Sequence, residues 1–352
     1  METMGRPLDR AVLEGNANMN AQAAILAAPR GAVQIAEVGL QPPGPGEAMV
    51  RMLACGICHS DVMIAGLEKL PLAPLILGHE AIGVVESVGE GVTNVAPGDR
   101  VGVTYLASAC GACEACLGGR ERFCLKQQNH GYSRHGALTT RGVMAAGNLI
   151  RVPESLSGEE AAPLCCAGWT AMGALREAGL ERGQLLAIFG MGGLGHLALQ
   201  YALHDGLRVV AADVSEEKLE FARQLGAESA VLVEQSRKEI LKDRGGADAA
   251  IVFAASANAA AAALACLKRC GRLILVGLTA DAFPVSVNEM VLKGIRIQGS
   301  YLGTRADLEH VFELATGGVA RPKVTVYPLD RAPELIERLR RGELTGRAVV
   351  CF

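Results

Sequence analysis

The chain has 352 residues, half of them hydrophobic and a fifth charged, and 34 basic residues against 37 acidic ones leave a net charge of −3. This length favours two domains with ample cores, and the charge balance gives no indication of nucleic acid or a membrane as a partner. The polar start lacks the apolar segment of a secretory signal, so the eleven cysteines predict free thiols in the cytoplasm and not a disulfide framework.

The first part of the chain has the pattern of a β-rich domain. Residues 1–18 show no hydrophobic pattern and are predicted to be an extension outside the folded chain. From residue 19 to residue 155, short apolar runs alternate with glycine and proline, which is typical of strands in a compact barrel-like unit. The clearest runs are "AAIL", "AMVRMLA", "AIGVVESVG" and "DRVGVTYL".

Four cysteines fall within fifteen residues of this first domain, in "CGACEACLGGRERFC". They are Cys110, Cys113, Cys116 and Cys124. Cysteines three apart on a glycine-rich loop can converge on one ion, and zinc takes four thiolates in a closed structural site. An iron–sulfur cluster, or four thiols that cluster by chance, would leave the same spacing. The glycine-rich loop favours structural zinc.

From residue 156 the pattern changes to buried strands alternating with alanine-rich helices. The apolar strands are "QLLAIF", "LRVVAAD", "AVLV", "ADAAIVFAA" and "GRLILVGL". A helix between the second and third of them is predicted to start at Ser215 and to stop at Gly226. Apolar strands separated by helices predict a parallel sheet that is covered on both faces. Beyond residue 299 the pattern predicts two more helices and a last strand.

The first of these strands runs into "FGMGGLGHLALQYAL", which contains the pattern GxGxxG. Gly190 allows the tight turn, Gly192 lets a pyrophosphate approach the backbone, and Gly195 packs the helix on the strand. Gly193 and Leu194, which lie between them, are assigned to the same coenzyme loop. The position of the pattern between a strand and a helix predicts dinucleotide binding.

The choice between NAD and NADP is predicted from Asp213, at the end of the next strand. A carboxylate at this position hydrogen-bonds the ribose hydroxyls of NAD and repels the extra phosphate of NADP. The alternative is a solvated aspartate that caps the next helix. The sequence therefore favours NAD, although Arg208 and Lys218 keep NADP open.

Two further stretches, "CGICHSD" at residues 55–61 and "GHEAIGVVESVGEGV" at residues 78–92, complete a series of motifs. Over roughly residues 20–352 the series resembles the zinc-dependent medium-chain alcohol dehydrogenase family, of the NAD-dependent bacterial and yeast type. The resemblance implies an α/β fold with a GroES-like β-barrel catalytic domain, residues 19–155 and 300–352. It also implies a Rossmann coenzyme domain with a doubly wound parallel sheet, residues 156–299. Two zinc ions, NAD, a small alcohol or aldehyde substrate, and a homo-oligomer, tetramer before dimer, are the implied partners.

The resemblance implies that Cys58, His79 and Cys166 bind a catalytic zinc ion. Cys166 precedes Ala-Gly in "APLCCAGWT", as the corresponding cysteine does in the family. Two thiolates and one imidazole leave a fourth position for water or the substrate oxygen. Zinc lowers the pKa of a bound alcohol, and a hydride is then transferred between the carbinol carbon and the nicotinamide.

Further roles follow from the same resemblance. Asp61 is expected to orient the imidazole of His79, and Glu80 to lie close behind the metal. Ser60 is expected to bond the alcohol oxygen and pass its proton to the ribose. The implied coenzyme contacts are His59 and Arg347 at the phosphates and Thr170 at the nicotinamide. The alternatives are helix packing for the threonine and a solvated surface charge for the arginine.

The chain departs from the family pattern at Met63, where many relatives have a histidine that ends the proton relay. A thioether cannot carry a proton, so the proton would leave directly to water unless His130 or His135 has taken the role.

A polyol dehydrogenase is disfavoured because those enzymes usually replace the third thiolate with a carboxylate. The aspartate at position 213 disfavours an NADP-dependent cinnamyl-type aldehyde reductase. A zinc-stabilised NAD-binding protein without catalysis would not need the complete set of site residues.

Overall fold

The computed structural model describes residues 19–352, and the predicted extension, residues 1–18, lies outside the described residues. The described chain divides into two compact units. Unit 1 contains residues 19–166 and Lys323–Phe352, and unit 2 contains Ala167–Pro322.

The chain forms the first ten strands in unit 1, crosses once to unit 2, and returns to unit 1 for its last two strands. Unit 1 begins with β1 (Asn20–Leu26), β2 (Val33–Gly39), β3 (Glu47–Gly56), β4 (Leu75–Ile76), β5 (Ala81–Val88), β6 (Arg100–Val103), β7 (Leu106–Ser108), β8 (Gln128–Asn129), β9 (Arg141–Ala145) and β10 (Ile150–Arg151). Unit 2 contains β11 (Leu185–Phe189), β12 (Arg208–Asp213), β13 (Ser229–Leu232), β14 (Ala247–Val252), β15 (Leu267–Leu275) and β16 (Arg296–Gly299). The chain returns to unit 1 with β17 (Val324–Pro328) and β18 (Arg347–Cys351).

The helices are unevenly shared between the units. In chain order they are α1 (His59–Ala65), α2 (Glu114–Leu117), α3 (Gly158–Ala161), α4 (Ala167–Ala178), α5 (Gly195–His204), α6 (Glu216–Gln224), α7 (Ala257–Ala265), α8 (Val287–Lys293), α9 (Arg305–Thr316) and α10 (Ala332–Arg340). Short 3₁₀ turns occur at Glu121–Phe123, Ala146–Asn148, Ala162–Cys165, Val233–Gln235 and Leu329–Arg331, and a π-helical turn at Arg237–Lys242. None of the helices within residues 19–352 is long and apolar enough to cross a membrane.

Unit 1 has the predicted β-rich, GroES-like architecture. A seven-stranded sheet follows the order β10-β6-β5-β3-β18-β17, with β9 paired to β3, and a three-stranded sheet has the order β2-β1-β4. Thr140 joins the two sheets, because its N–H donates to the carbonyl of Gln22 in β1 and its carbonyl accepts from Met52 in β3. Aliphatic side chains from both sheets and from α1 and α10 form one core. The strand prediction for this unit is confirmed.

Unit 2 is the predicted Rossmann fold. Its six parallel strands have the order β13-β12-β11-β14-β15-β16. Every residue of β11 is buried, as expected for a central strand that is covered on both faces. The strand order reverses beside β11, and ligands of such sheets bind outside the carboxyl ends of the strands at that point. The glycine-rich loop leaves β11 at this end.

The two compact units divide at Cys166 and Pro322, whereas the sequence analysis placed the domain boundaries at residues 155 and 299. Helix α3 packs on β3 and β5 and therefore belongs to unit 1. Helix α9 packs on α4 and therefore belongs to unit 2. Strand β16 was not among the predicted strands, because as a largely exposed edge strand it lacks the apolar run of a central one.

Candidate functional site

The motif "CGICHSD" forms the turn between β3 and the start of α1. Cys58 is the N-terminal cap of α1, with an extended backbone. The buried carboxylate of Asp61 accepts hydrogen bonds from the backbone N–H of Cys58 (2.9 Å, Oδ2) and from that of Gly78 (3.1 Å, Oδ1). One side chain therefore ties the loop that carries Cys58 to the turn that carries His79.

Four potential ligands converge in unit 1: Cys58, His79, Glu80 and Cys166 are all buried, and their ligand atoms lie within 4.8 Å of one another. The two Sγ atoms of Cys58 and Cys166 are 3.9 Å apart. Both ring nitrogens of His79 are buried without a hydrogen-bond partner among the described residues. Buried polar atoms are normally hydrogen-bonded. An imidazole without partners beside two thiols therefore fits the Cys₂His ligand set of zinc.

The electrostatics of this cluster favour a thiolate. The hydrogen bond from Cys166 holds the pKa of the Cys58 thiol well below its usual value, and the nearby His79 lowers this pKa further. The same hydrogen bond raises the pKa of Cys166, and burial raises it further. Asp61 Oδ1 lies 3.7 Å from Nδ1 of His79, too far for a hydrogen bond but close enough to attract a positively polarised ring.

Behind the cluster lies a buried ion pair. The Glu80 carboxylate accepts a hydrogen bond from the Arg347 guanidinium, while its other oxygen has no partner within the described chain. Burial raises the pKa of Glu80, and the adjacent Arg347 guanidinium opposes that rise. Arg347 is only 6% exposed, so its interpretation as a solvated surface charge is wrong.

The remaining predicted residues are divided between the units. Ser60 is half-buried, and its Oγ lies 3.7 Å from Sγ of Cys58. His59 is exposed at the start of α1, and Met63 is 41% exposed further along the same helix. Thr170 belongs to unit 2, where it is buried in α4.

The two histidines that were alternatives for the proton relay have structural contacts. His130 is buried, its Nδ1 lies 2.9 Å from the carbonyl of Thr104, and its Nε2 accepts from the N–H of Ala145. Burial lowers the pKa of His130 to about 4, so it is neutral at physiological pH. Nδ1 of His135 accepts from the N–H of Ile76 at 3.4 Å, and burial lowers its pKa as well. These contacts contradict a relay role for His130, and they do not support one for His135.

The second cysteine cluster is gathered around the short helix α2. Its four Sγ atoms lie within 4.8 Å of one another, with Cys116 3.5 Å from Cys113 and 3.9 Å from Cys110. Backbone N–H groups of Ala112 and Cys113 lower the pKa of Cys110 to about 6. Four convergent thiols, one of them readily ionised, fit a closed tetrahedral site for zinc.

The glycine-rich loop of unit 2 has the geometry that a pyrophosphate needs. Gly190 has φ +97°, and a Cβ there would lie 2.7 Å from the backbone nitrogen of Ala254. A Cβ on Gly195 would overlap the carbonyl of Gly190. At Gly192, by contrast, a Cβ would meet no atom of the described chain within 4 Å, the two adjoining residues apart. The outer glycines are therefore required by the fold, and the middle one faces open space that a ligand can enter.

Asp213 ends β12 and is 6% exposed, which contradicts the alternative of a solvated aspartate. Its Oδ2 accepts from the N–H of Met191 (2.6 Å), and its Oδ1 accepts from the two residues that follow it. Arg208 starts the same strand and makes two hydrogen bonds of 2.7 Å to Glu228. Five residue steps along a strand span about 16 Å. The expectation that Arg208 lies near the coenzyme phosphate is therefore wrong. Lys218, in α6, is still a candidate for contact with the coenzyme.

Comparisons with known proteins agree with this geometry. A model of the alcohol dehydrogenase GroES-like domain matches residues 44–154, and a zinc-binding dehydrogenase model matches residues 193–317. An alcohol dehydrogenase of Moraxella sp. (strain TAE123) is 43% identical over 324 residues, which are 91% of this chain and 96% of the relative. The chain belongs to the zinc-dependent medium-chain alcohol dehydrogenase family.

Solved structures of alcohol dehydrogenases superpose on nearly the whole chain. The enzyme of the hyperthermophilic archaeon Aeropyrum pernix has a TM-score of 0.86 at 32% identity, covering 94% of this chain and 100% of that one. A cobalt- and zinc-bound thermostable alcohol dehydrogenase from Pyrobaculum aerophilum also has a TM-score of 0.86, at 28% identity, and covers 95% and 100%.

Two contributors to the site of this dehydrogenase escaped the sequence analysis. A Cβ on Gly56 would come within 2.8 Å of the Glu80 carboxylate carbon, so glycine leaves the room that the buried ion pair needs. Its place inside "CGICHSD" could have indicated such a close approach. The ring of Tyr105 packs edge-on against His79, with centroids 5.1 Å apart. No local pattern marks that tyrosine.

Proposed function

We propose that this dehydrogenase transfers a hydride reversibly between a small alcohol and NAD, with two zinc ions per chain. The observation that carries the proposal is the buried set of Cys58, His79 and Cys166, in which neither imidazole nitrogen has a hydrogen-bond partner within residues 19–352. A thiol supplies the third ligand, which disfavours a polyol dehydrogenase. A protein that only binds NAD would have no use for such an open site.

The residues around the cluster have separable tasks. When bound, zinc supplies Lewis acidity toward the alcohol oxygen, and NAD accepts the hydride. Asp61 holds the two ligand-bearing turns together and orients His79. The hydroxyl of Ser60, beside Cys58, can accept the proton of the alcohol and donate its own. Glu80 balances the charge of Arg347 behind the cluster.

The coenzyme is assigned to the glycine-rich loop of unit 2. Gly190, Gly192, Gly193, Leu194 and Gly195 form the loop for the pyrophosphate, and the open side of its middle glycine supports this assignment. Asp213 supports NAD, because its buried carboxylate lies at the carboxyl end of β12. The other proposed contacts are Lys218 at the ribose, His59 and Arg347 at the phosphates, and Thr170 at the nicotinamide.

We also propose that the protein is a cytoplasmic homo-oligomer, with a tetramer favoured over a dimer. All eleven cysteines are free, which is consistent with a reducing compartment. Val287, Val291 and Leu292 on α8 are each more than 70% exposed. Next to α8 in sequence lies the edge strand β16. Exposed apolar side chains and an open strand edge in the same part of unit 2 support contact with a second copy.

The two zinc sites should respond differently to the loss of one thiol. Cys58→Ala is expected to leave about one zinc per chain, to abolish alcohol oxidation, and to change the melting temperature little, because an open site adds little to the scaffold. Cys113→Ala is expected to lose the other zinc and to lower the melting temperature, because the closed site holds its loop together. Metal analysis and calorimetry measure both effects, with Cys270→Ala as the control. Equal destabilisation by the two variants would contradict the division.

Asp213→Ser should change the choice of coenzyme. Removing the carboxylate relieves repulsion of the 2′-phosphate, so the ratio of kcat/KM for NADP to that for NAD is expected to rise at least about tenfold. Activity with NAD should also fall, because Met191 loses its hydrogen-bond acceptor. Asp205→Ser, at the exposed end of α5, is the control. A wild-type enzyme that already works better with NADP would refute the premise.

Met63→His should change the pH dependence of alcohol oxidation. In the wild type the proton leaves to water, a poor base at neutral pH, so the rate is expected to rise toward alkaline pH. A histidine at this exposed position supplies a base, which is typically worth about a hundredfold or more where proton transfer limits the rate. The variant should therefore be faster near pH 7 and have a flatter profile, whereas Met63→Gln should resemble the wild type. Identical profiles for all three proteins would show that proton release does not limit the rate.

Light scattering should give a molar mass of several chains for the wild type. Val291→Glu places a charge in the exposed apolar surface of α8 and is expected to reduce that mass without unfolding the chain, because position 291 has few contacts to lose. A monomeric wild type, or an unchanged mass in the variant, would refute this interface.

A further inference from the structure

Two buried side chains form hydrogen bonds with the backbone of consecutive residues in the glycine-rich loop. Asp213 accepts from the N–H of Met191 at 2.6 Å. Nδ1 of His196 lies 2.9 Å from the carbonyl oxygen of Gly192. The imidazole of His196 is completely buried. Side chains from two different elements, β12 and α5, therefore hold the backbone of two consecutive loop residues.

The contact of His196 fixes the position of a proton. A carbonyl oxygen can only accept, so Nδ1 of the imidazole carries the hydrogen. The backbone N–H of His196 also donates to the oxygen of Gly192, but at 3.3 Å, the long end of the usual range. The side chain supplies the shorter bond. The ring packs beside Phe221, with centroids 5.9 Å apart, which limits its rotation.

This bond orients the next amide of the loop. The peptide between Gly192 and Gly193 is trans, so its C=O and N–H point in opposite directions. With the carbonyl turned toward His196, the N–H of Gly193 points away from α5. Because no atom of residues 19–352, apart from the two adjoining residues, lies within 4 Å of a Cβ position at Gly192, an anion can reach this donor.

We propose that His196 is a positioning residue for the coenzyme, which aims the Gly193 amide at the pyrophosphate by holding the Gly192 carbonyl. The proposal rests on the proposed binding of NAD to this loop and assigns a task to a side chain that does not touch the coenzyme. It differs from a purely structural role, because the effect of losing the bond is confined to ligands that carry phosphate.

Three substitutions separate the hydrogen bond from the packing of the ring. In His196→Asn the amide nitrogen can take the place of Nδ1, so the donor is kept although the side chain is smaller. In His196→Leu the volume is largely kept and the donor is lost. In His196→Gln the amide lies one carbon further from the backbone and misses that place. His204→Leu, at the exposed end of α5, is the matched control.

The probes are ADP-ribose, which contains the pyrophosphate, and adenosine, which contains no phosphate. Calorimetry gives the Kd of ADP-ribose, and ligand-observed NMR gives that of adenosine. For His196→Leu and His196→Gln the Kd of ADP-ribose should rise about tenfold, the equivalent of one hydrogen bond, with adenosine unchanged. For His196→Asn and His204→Leu the Kd of ADP-ribose should stay within about threefold of the wild type.

Each contrary result has a distinct meaning. If ADP-ribose binds His196→Leu and His196→Gln as tightly as the wild type, or if adenosine weakens in parallel with it, the positioning role is refuted. If His196→Leu does not fold, His196→Gln alone decides between these outcomes. A wild type that binds neither NAD nor ADP-ribose would instead refute the proposed coenzyme site, whatever the variants do.

Discussion

The carboxylate of Asp61 is the constraint on which the buried cluster of four potential ligands depends. It receives one N–H from Cys58, the cap of α1, and one from Gly78, which lies seventeen residues beyond Asp61 in the turn before His79, and so joins these two segments. A buried carboxylate is costly unless it is hydrogen-bonded, and two amides meet that requirement. The two bonded amides belong to Cys58 and to the residue before His79, so these two potential ligands are held close together by the polypeptide itself.

The sheet of unit 1 extends this arrangement to the C-terminal end of the chain. Strand β18 pairs antiparallel with β3, which places Val349 opposite Gly56. Arg347 begins β18 and reaches the Glu80 carboxylate, into space that Gly56 leaves free. A buried ion pair adds little net stability, but removing one partner leaves an uncompensated charge. The register of two strands therefore governs the charge behind the cluster of potential ligands.

Unit 2 has a corresponding arrangement at its glycine-rich loop. In both units a side chain in the protein interior hydrogen-bonds the backbone of a turn and thereby directs a group that faces a ligand. Asp61 does so for the residues that would hold a metal, and Asp213 and His196 do so for the amides that would face a phosphate. Such bonds are made before any ligand arrives, so less conformational freedom is lost on binding.

The sequence by itself determined the features that depend on neighbouring residues: the cluster from Cys110 to Cys124, the glycine-rich turn, and the alternation of strands and helices in unit 2. Short spacings allow few backbone paths, so residue type and interval suffice there. Cys58 and Cys166 were paired only by resemblance to a family, and the pairing of Glu80 with Arg347, 267 residues apart, was missed. Arg208 was misplaced because closeness in sequence ignores the length of a strand. Only the tertiary structure decided these contacts, because strand register and helix packing bring distant residues together, and no local pattern encodes which distant residues meet.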